Sequence, residues 1–239
     1  MSGHRGGDSN GDLEASLTPY VSSEDFDLAA ALVDRASFVV FEGLDGAGTT
    51  TQMHRLAAWL RELMIPIETT SEPTTGPIGS VIRQVIDGRL AMDPDTLALM
   101  FAADRSDHIK NPVRGIKKTL DQGTWVISDR YVFSSLAYQA SSEISTDWIV
   151  EINRQVIAPD VTIFVDTDPA VCMERIRSRS QRDELYHHED KLRHALGVYR
   201  KVLDLPQFAG HLFVVDGNEK VDDVFEQVRI GLLRWLRDR

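Results

Sequence analysis

The chain has 239 residues, a formal charge of −11 and 42% apolar side chains, a size and balance that suit one packed α/β domain. So acidic a composition excludes a broad nucleic-acid or anionic-membrane surface, because such surfaces need a basic face to displace counterions from phosphates. The single cysteine, Cys172, excludes an intrachain disulfide; no apolar run reaches the ~20 residues that span a bilayer, and the absence of an apolar signal core points to a reducing cytoplasm.

In chain order, residues 1–23 are rich in Gly, Ser and Asp without apolar periodicity and read as a flexible tail. "EDFDLAAALVDR" (24–35) then reads as a short helix, so 1–35 form an extension and 36–239 the domain. Apolar, β-branched runs follow at 38–43 ("FVVFEG"), 65–70 ("IPIETT"), 124–129 ("TWVISD"), 161–166 ("VTIFVD") and 211–216 ("HLFVVD"), each trailed by a helix-length segment. Runs without strict alternation predict strands buried on both faces, and βα alternation predicts parallel pairing. The expected fold is therefore three-layer α/β, with about five parallel strands flanked by helices and ligands at the strands' carboxyl ends.

The first strand runs into Gly43, Leu44, Asp45, Gly46, Ala47, Gly48, Thr49, Thr50 and Thr51. Gly, four residues, Gly48 is the spacing of a phosphate-binding loop, but Thr49 stands where lysine is expected. Backbone N–H groups turned inward by the glycines, together with the positive end of the next helix, could hold an anion without side chains. Thr50 falls where a hydroxyl would ligate Mg²⁺. The loop alone also fits a glycine-rich βα turn. In "SDRYVFSSLAYQ" (128–139), Asp129 at a strand tip suits Mg²⁺ or its waters, and Arg130 suits a phosphate. Taken alone, the pair also reads as a strand-end salt bridge or helix cap.

With "SEPTTGPIGSVIR" (71–83), "ALMFAADRSDHI" (98–109), "PDVTIFVDTDP" (159–169) and "RIRSRSQRDELY" (175–186) added in order, residues 37–235 resemble the thymidylate kinases, P-loop nucleoside monophosphate kinases. The resemblance implies a homodimer that converts ATP and dTMP to ADP and dTDP with Mg²⁺, using residues 43–51 for ATP and Thr50 and Asp129 for the metal. It implies that Asp45 approaches the acceptor's 3′-hydroxyl, Phe101 stacks on thymine, Arg105 bonds its carbonyl edge and Arg130 holds the acceptor phosphate. Ser135 and Gln139 would face the base, Tyr138 would crowd the ribose 2′ position, and Glu72 and Arg83 would lie beside the acceptor. Independently of it, Phe101 and Arg105, four apart, share a helix face, as do Ser135 and Tyr138, three apart. Ordinary core packing would explain Phe101 and Tyr138 as well.

The resemblance makes the segment about 178–188 a lid over ATP. Arg175 and Arg179 are four apart, with Arg177 and Arg182 nearby, although a solvated helix balanced by Glu174, Asp183 and Glu184 is the plainer reading. Adjacent His187 and His188 lack partner spacing for a metal. Losing one preorganised transition-state donor costs ~10²–10³ in rate, whereas a delivered arginine is worth about 10³–10⁵. Arg179 and Arg182 are the expected replacements for the lysine, since Gly46 occupies the position where one branch of the family carries a loop arginine. Two further readings stand beside an active dTMP kinase: a non-catalytic deoxynucleotide-binding protein and a kinase for another nucleoside monophosphate.

Overall fold

The computed structural model describes residues 36–179, 186–205, 208 and 210–238. The tail and the helix expected over 24–35 lie outside the described residues.

Five parallel strands form one sheet: β1 (Phe38–Gly43), β2 (Ile67–Ser71), β3 (Trp125–Asp129), β4 (Val161–Asp166) and β5 (His211–Asp216), in the order β2-β3-β1-β4-β5. The described helices are α1 (Thr49–Glu62), α2 (Pro77–Ile86), α3 (Pro94–Lys110), α4 (Ile116–Asp121), α5 (Val132–Gln139), α6 (Thr146–Ile152), α7 (Pro169–Arg179), α8 (Tyr186–Val202) and α9 (Val221–Arg237). β1 sits centrally between β3 and β4. The connection from β1 runs to β2 on one side and that from β3 crosses to β4 on the other, which opens a crevice at the carboxyl ends of β1 and β3.

Burial on both faces holds for β1, β3 and most of β4. It fails for β2 and β5, which are the two outer strands and keep one flank in solvent. β2 also starts two residues later than the apolar run suggests. Met64, at φ 60, closes α1, and Pro66 has no N–H to give the ladder, contributing only its carbonyl to Trp125 N at 2.8 Å.

Met53, Leu56, Ala57 and Leu60 make one helical face of α1 and are buried against the sheet. Trp59, on another face, is also buried, because α9 packs there. Met53, Leu56 and Leu60 each contribute about 1.5–3 kcal/mol on burial, so the helix that begins at the glycine loop is held firmly to the sheet. Within these apolar strands Glu42 is completely buried. A carboxylate in that position needs donors around it, and they come from the site.

Candidate functional site

The loop between β1 and α1 owes its shape to two left-handed residues, Gly46 at φ 84 and Gly48 at φ 101. α1 starts with no side-chain cap and no acidic residue in its first turn. The N–H groups of Thr49, Thr50 and Thr51 therefore have no intrahelical acceptors and face the loop with the positive end of the helix dipole. This is an anion cradle made of backbone. Thr49 itself is 5% exposed, and its Cγ2 would lie 3.0 Å from a Cβ at Gly43, so the side chain fills a slot under the loop.

Arg130 is bound from several sides. Nη1 donates to Gly43 O at 3.0 Å and to Ser134 Oγ at 2.9 Å, and Nη2 to Asp45 Oδ1 at 2.6 Å. Tyr138 lies under the guanidinium, 5.3 Å from Cζ to ring centroid, and its hydroxyl accepts the Asp45 N–H at 2.9 Å. Burial works against the Arg130 charge, but Asp45, Tyr138, Tyr199 and Glu42 outweigh it and raise its pKa well above the usual value. Glu42 below accepts from Tyr131 N (2.9 Å), Ser134 N (3.2 Å), Ser134 Oγ (2.6 Å) and the Tyr199 hydroxyl (2.9 Å). Burial dominates and raises the carboxyl pKa, although the bonds from Ser134 and Tyr199 and the Arg130 charge pull it back. Asp45, Arg130 and Tyr138, each placed at the acceptor by the resemblance, thus lie together. Glu42, Ser134 and Tyr199, which orient them, were not anticipated; the only signal was a carboxylate inside an apolar run.

Asp129 ends β3 beside the loop. Its Oδ2 accepts the Thr50 hydroxyl, whereas Oδ1 is buried with no hydrogen-bond partner. A hydroxyl and an unsatisfied carboxylate oxygen, both hard donors, fit Mg²⁺. A cavity of about 910 Å³ opens there, lined by Thr50, His54, Thr70, Thr74, His108 and Asp129 among others. Among the described residues no group of three or more His, Cys, Asp or Glu side chains could hold a metal ion by itself.

On the acceptor side, Arg105 is 1% exposed and extensively paired. Nε donates to Glu72 Oε2 at 2.7 Å, Nη1 to Asn153 Oδ1 at 2.5 Å, and Nη2 to Ser135 Oγ at 2.8 Å and Tyr131 O at 3.2 Å. The shared face of α3 does not leave Phe101 and Arg105 equally free: Phe101 is half-buried, and Arg105 is locked into the interior by Glu72 and Ser135. One N–H of Nη1 remains without a partner among the described residues. Arg83 turns back onto Pro73 O at 2.5 Å, and Asp104 ties down Thr74 through its N–H and hydroxyl, both at 2.6 Å. Gln139 is half-buried, with Oε1 unpaired.

For the lid, Arg182 lies outside the described residues, and Arg179 is placed only as the last residue of α7. Arg175, one turn earlier, donates from Nη1 to the loop carbonyl of Ala47 at 3.2 Å. α7 also explains the glycine at 46: a Cβ there would lie 2.6 Å from Cys172 O. A loop arginine at this position is thus excluded by α7. Gly46→Arg should lower the melting temperature and activity together, since a left-handed non-glycine residue alone costs about 1–2 kcal/mol before that overlap is relieved.

Sheet order, glycine loop and strand-tip pair define a P-loop fold built around a phosphate site. The family model described as thymidylate kinase matches residues 41–228, and the chain belongs to that family. A relative in Treponema pallidum bearing a thymidylate kinase name is 37% identical over 205 residues, covering 84% of this chain and 97% of its own length. Relatives so named in Thermococcus kodakarensis and Methanocaldococcus jannaschii are 35% and 32% identical, covering 83% and 82% of this chain and 98% and 95% of theirs.

Proposed function

We propose that this chain transfers the terminal phosphoryl group of ATP to dTMP, giving ADP and dTDP. The observation that carries this is Arg130, clamped between the loop carbonyl of Gly43 and the α5 hydroxyl of Ser134 at the tip of β3. Its guanidinium is held beside the cradle that would take the donor's phosphates, where it can orient the acceptor phosphate for in-line transfer. Family membership and the thymidylate kinase names of the relatives supply the identity of donor and acceptor.

In this reading the N–H groups of Thr49, Thr50 and Thr51 hold the donor phosphates. Asp45, ion-paired with Arg130 at 2.6 Å, gives up part of that contact when the acceptor phosphate arrives and turns towards the sugar. Phe101 stacks on the base, Arg105 and Ser135 read its polar edge with Gln139 beside them, and Tyr138 crowds the 2′ position. Glu72 and Arg83 border the pocket. Thr50 and Asp129 would hold Mg²⁺, which supplies charge neutralisation on the phosphate oxygens. Arg175, Arg179 and Arg182 supply the positive charge absent at Thr49. The chain works as a homodimer in the cytoplasm, a second copy covering Ile86, Leu90 and Leu99, which are exposed on α2, α3 and the segment between them. No described helix is long and apolar enough to cross a membrane.

The deciding measurement is ADP formation by the native protein with dTMP, dUMP, UMP and AMP, with Mg²⁺ and with chelator. Turnover is expected with dTMP, much weaker with the ribonucleotides, and lost on chelation. A folded protein that dTMP stabilises against heat but that makes no ADP would be a binding protein instead. Thr49→Lys, measured alongside, is expected to raise kcat by about tenfold or more, since one aligned donor is worth ~10²–10³ and the arginines already supply part.

A further inference from the structure

α3 carries a buried histidine to which the phosphoryl-transfer reading gives no work. His108 is 7% exposed and lines the cavity beside Thr50 and Asp129. Its Nδ1 lies 3.0 Å from Glu72 Oε1, and its Nε2 lies 2.7 Å from Thr70 Oγ1. An ionised carboxylate only accepts, so Nδ1 bears the proton and, in the neutral ring, Nε2 accepts the threonine hydroxyl. The other Glu72 oxygen takes Arg105 Nε, and the Arg105 fork ends on Ser135 Oγ and Asn153 Oδ1. A continuous row of hydrogen bonds, half-buried at Thr70 and buried from His108 onward, thus runs from Thr70 on β2 to Ser135 on α5, with His108 behind Glu72.

We infer that His108 is a positioning residue for acceptor recognition: by holding one oxygen of Glu72 it fixes the carboxylate's rotation, and through Glu72 the Arg105 guanidinium and the Ser135 hydroxyl. The inference rests on the reading of the chain as a dTMP kinase. Glu72 has a side chain only 3% exposed, so water cannot readily replace the imidazole donor. Without His108, Oε1 is left buried and unpaired, and the carboxylate turns to recover a donor. Arg105 Nε follows, because Glu72 is its only carboxylate partner among the described residues. The Arg105 guanidinium and the Ser135 hydroxyl, the groups that the kinase reading turns to the base edge, then lose their alignment. The donor phosphates are held elsewhere, by the loop and α1, so the effect is confined to the acceptor.

The test is steady-state kinetics of the full chain carrying His108→Phe, His108→Asn or Thr70→Val, beside the native protein. His108→Phe should raise KM for dTMP about tenfold, the worth of a hydrogen bond to a charged group, with kcat and KM for ATP within about twofold of native. His108→Asn, whose amide N–H can replace Nδ1–H, should recover most of the loss. Thr70→Val, which removes only the hydroxyl behind the ring, should fall between them. The inference is overturned if His108→Phe leaves KM for dTMP unmoved, if KM for both substrates and kcat worsen together, or if Asn is no better than Phe. Should His108→Phe fail to fold, Thr70→Val with native KM for dTMP overturns it. A native protein inactive towards dTMP overturns the kinase reading and this inference with it, whereas native activity with unmoved variants overturns this inference alone.

Discussion

Replacing Arg130 by methionine is expected to lower kcat/KM for dTMP by about 10³, the scale lost when a preorganised cation is taken from a phosphoryl-transfer site. The same change should cost about 1–3 kcal/mol of stability, because buried acceptors lose their donor. Ser134 Oγ loses this donor and Gly43 O keeps only the Tyr199 hydroxyl at 3.2 Å, while Asp45, 60% exposed, can turn to water. Arg130→Lys should fare little better, since one ammonium on a flexible stem cannot span three directions fixed by a planar fork. The backbone adds a second readout. Arg130 sits at φ 73, a left-handed conformation that a non-glycine side chain enters at a cost. Arg130→Gly should therefore be as inactive as the methionine variant, yet melt no lower despite losing more packing. A glycine variant clearly less stable than the methionine one would show that the strain is not there to be relieved. Thermal melts and initial rates on three variants decide the matter.

Asp129→Asn is expected to separate stability from activity in the opposite direction. The carboxylate has one oxygen engaged by Thr50 and the other buried and unpaired. An unsatisfied buried group costs about 1–3 kcal/mol, more when charged, so the amide variant should melt at or above the native temperature in the absence of Mg²⁺. Activity should nonetheless fall by about 10²–10³, as expected when transition-state charge stabilisation is removed, and added Mg²⁺ should no longer raise the melting temperature. A variant that keeps its turnover and its Mg²⁺ response would remove Asp129 from the metal site. Native-like structural order with lost chemistry is the pattern of a residue maintained against its own stability cost.

Much of the architecture was legible because the physics behind it is local. A buried parallel strand must be an apolar run, and the three central strands announce themselves within a residue of their observed limits. Of the two edge strands β5 also keeps the limits of its run, whereas β2 starts two residues late because Pro66 and the left-handed Met64 interrupt pairing without interrupting apolarity. At the site, the strand-tip residues Asp129 and Arg130 and the loop could be read from spacing. What could not be read were side chains whose value lies in contacts distant in sequence. Glu42 meets Tyr199 across 157 positions, and Arg105 meets Asn153 across 48. "ADRSDHI" does hold a hint in retrospect, since Asp104, Arg105 and His108 are all buried on a helix that should show apolar residues to its interior. Three polar groups on that face can be tolerated only as members of a satisfied network.

One contact bears on how the molecule works as a machine. The glycine at 46 is wedged beneath the carbonyl of Cys172, and Arg175 is tied to the carbonyl of Ala47. The root of α7 is therefore clamped to the loop it overhangs, like the fixed end of a lever. The first two turns of α7 and the phosphate loop therefore form one body, in which a displacement of either is a displacement of both. Engineering of this enzyme that lengthens or shortens α7 between Arg175 and Arg179 should retune turnover, whereas changes before Cys172 should unseat the loop itself.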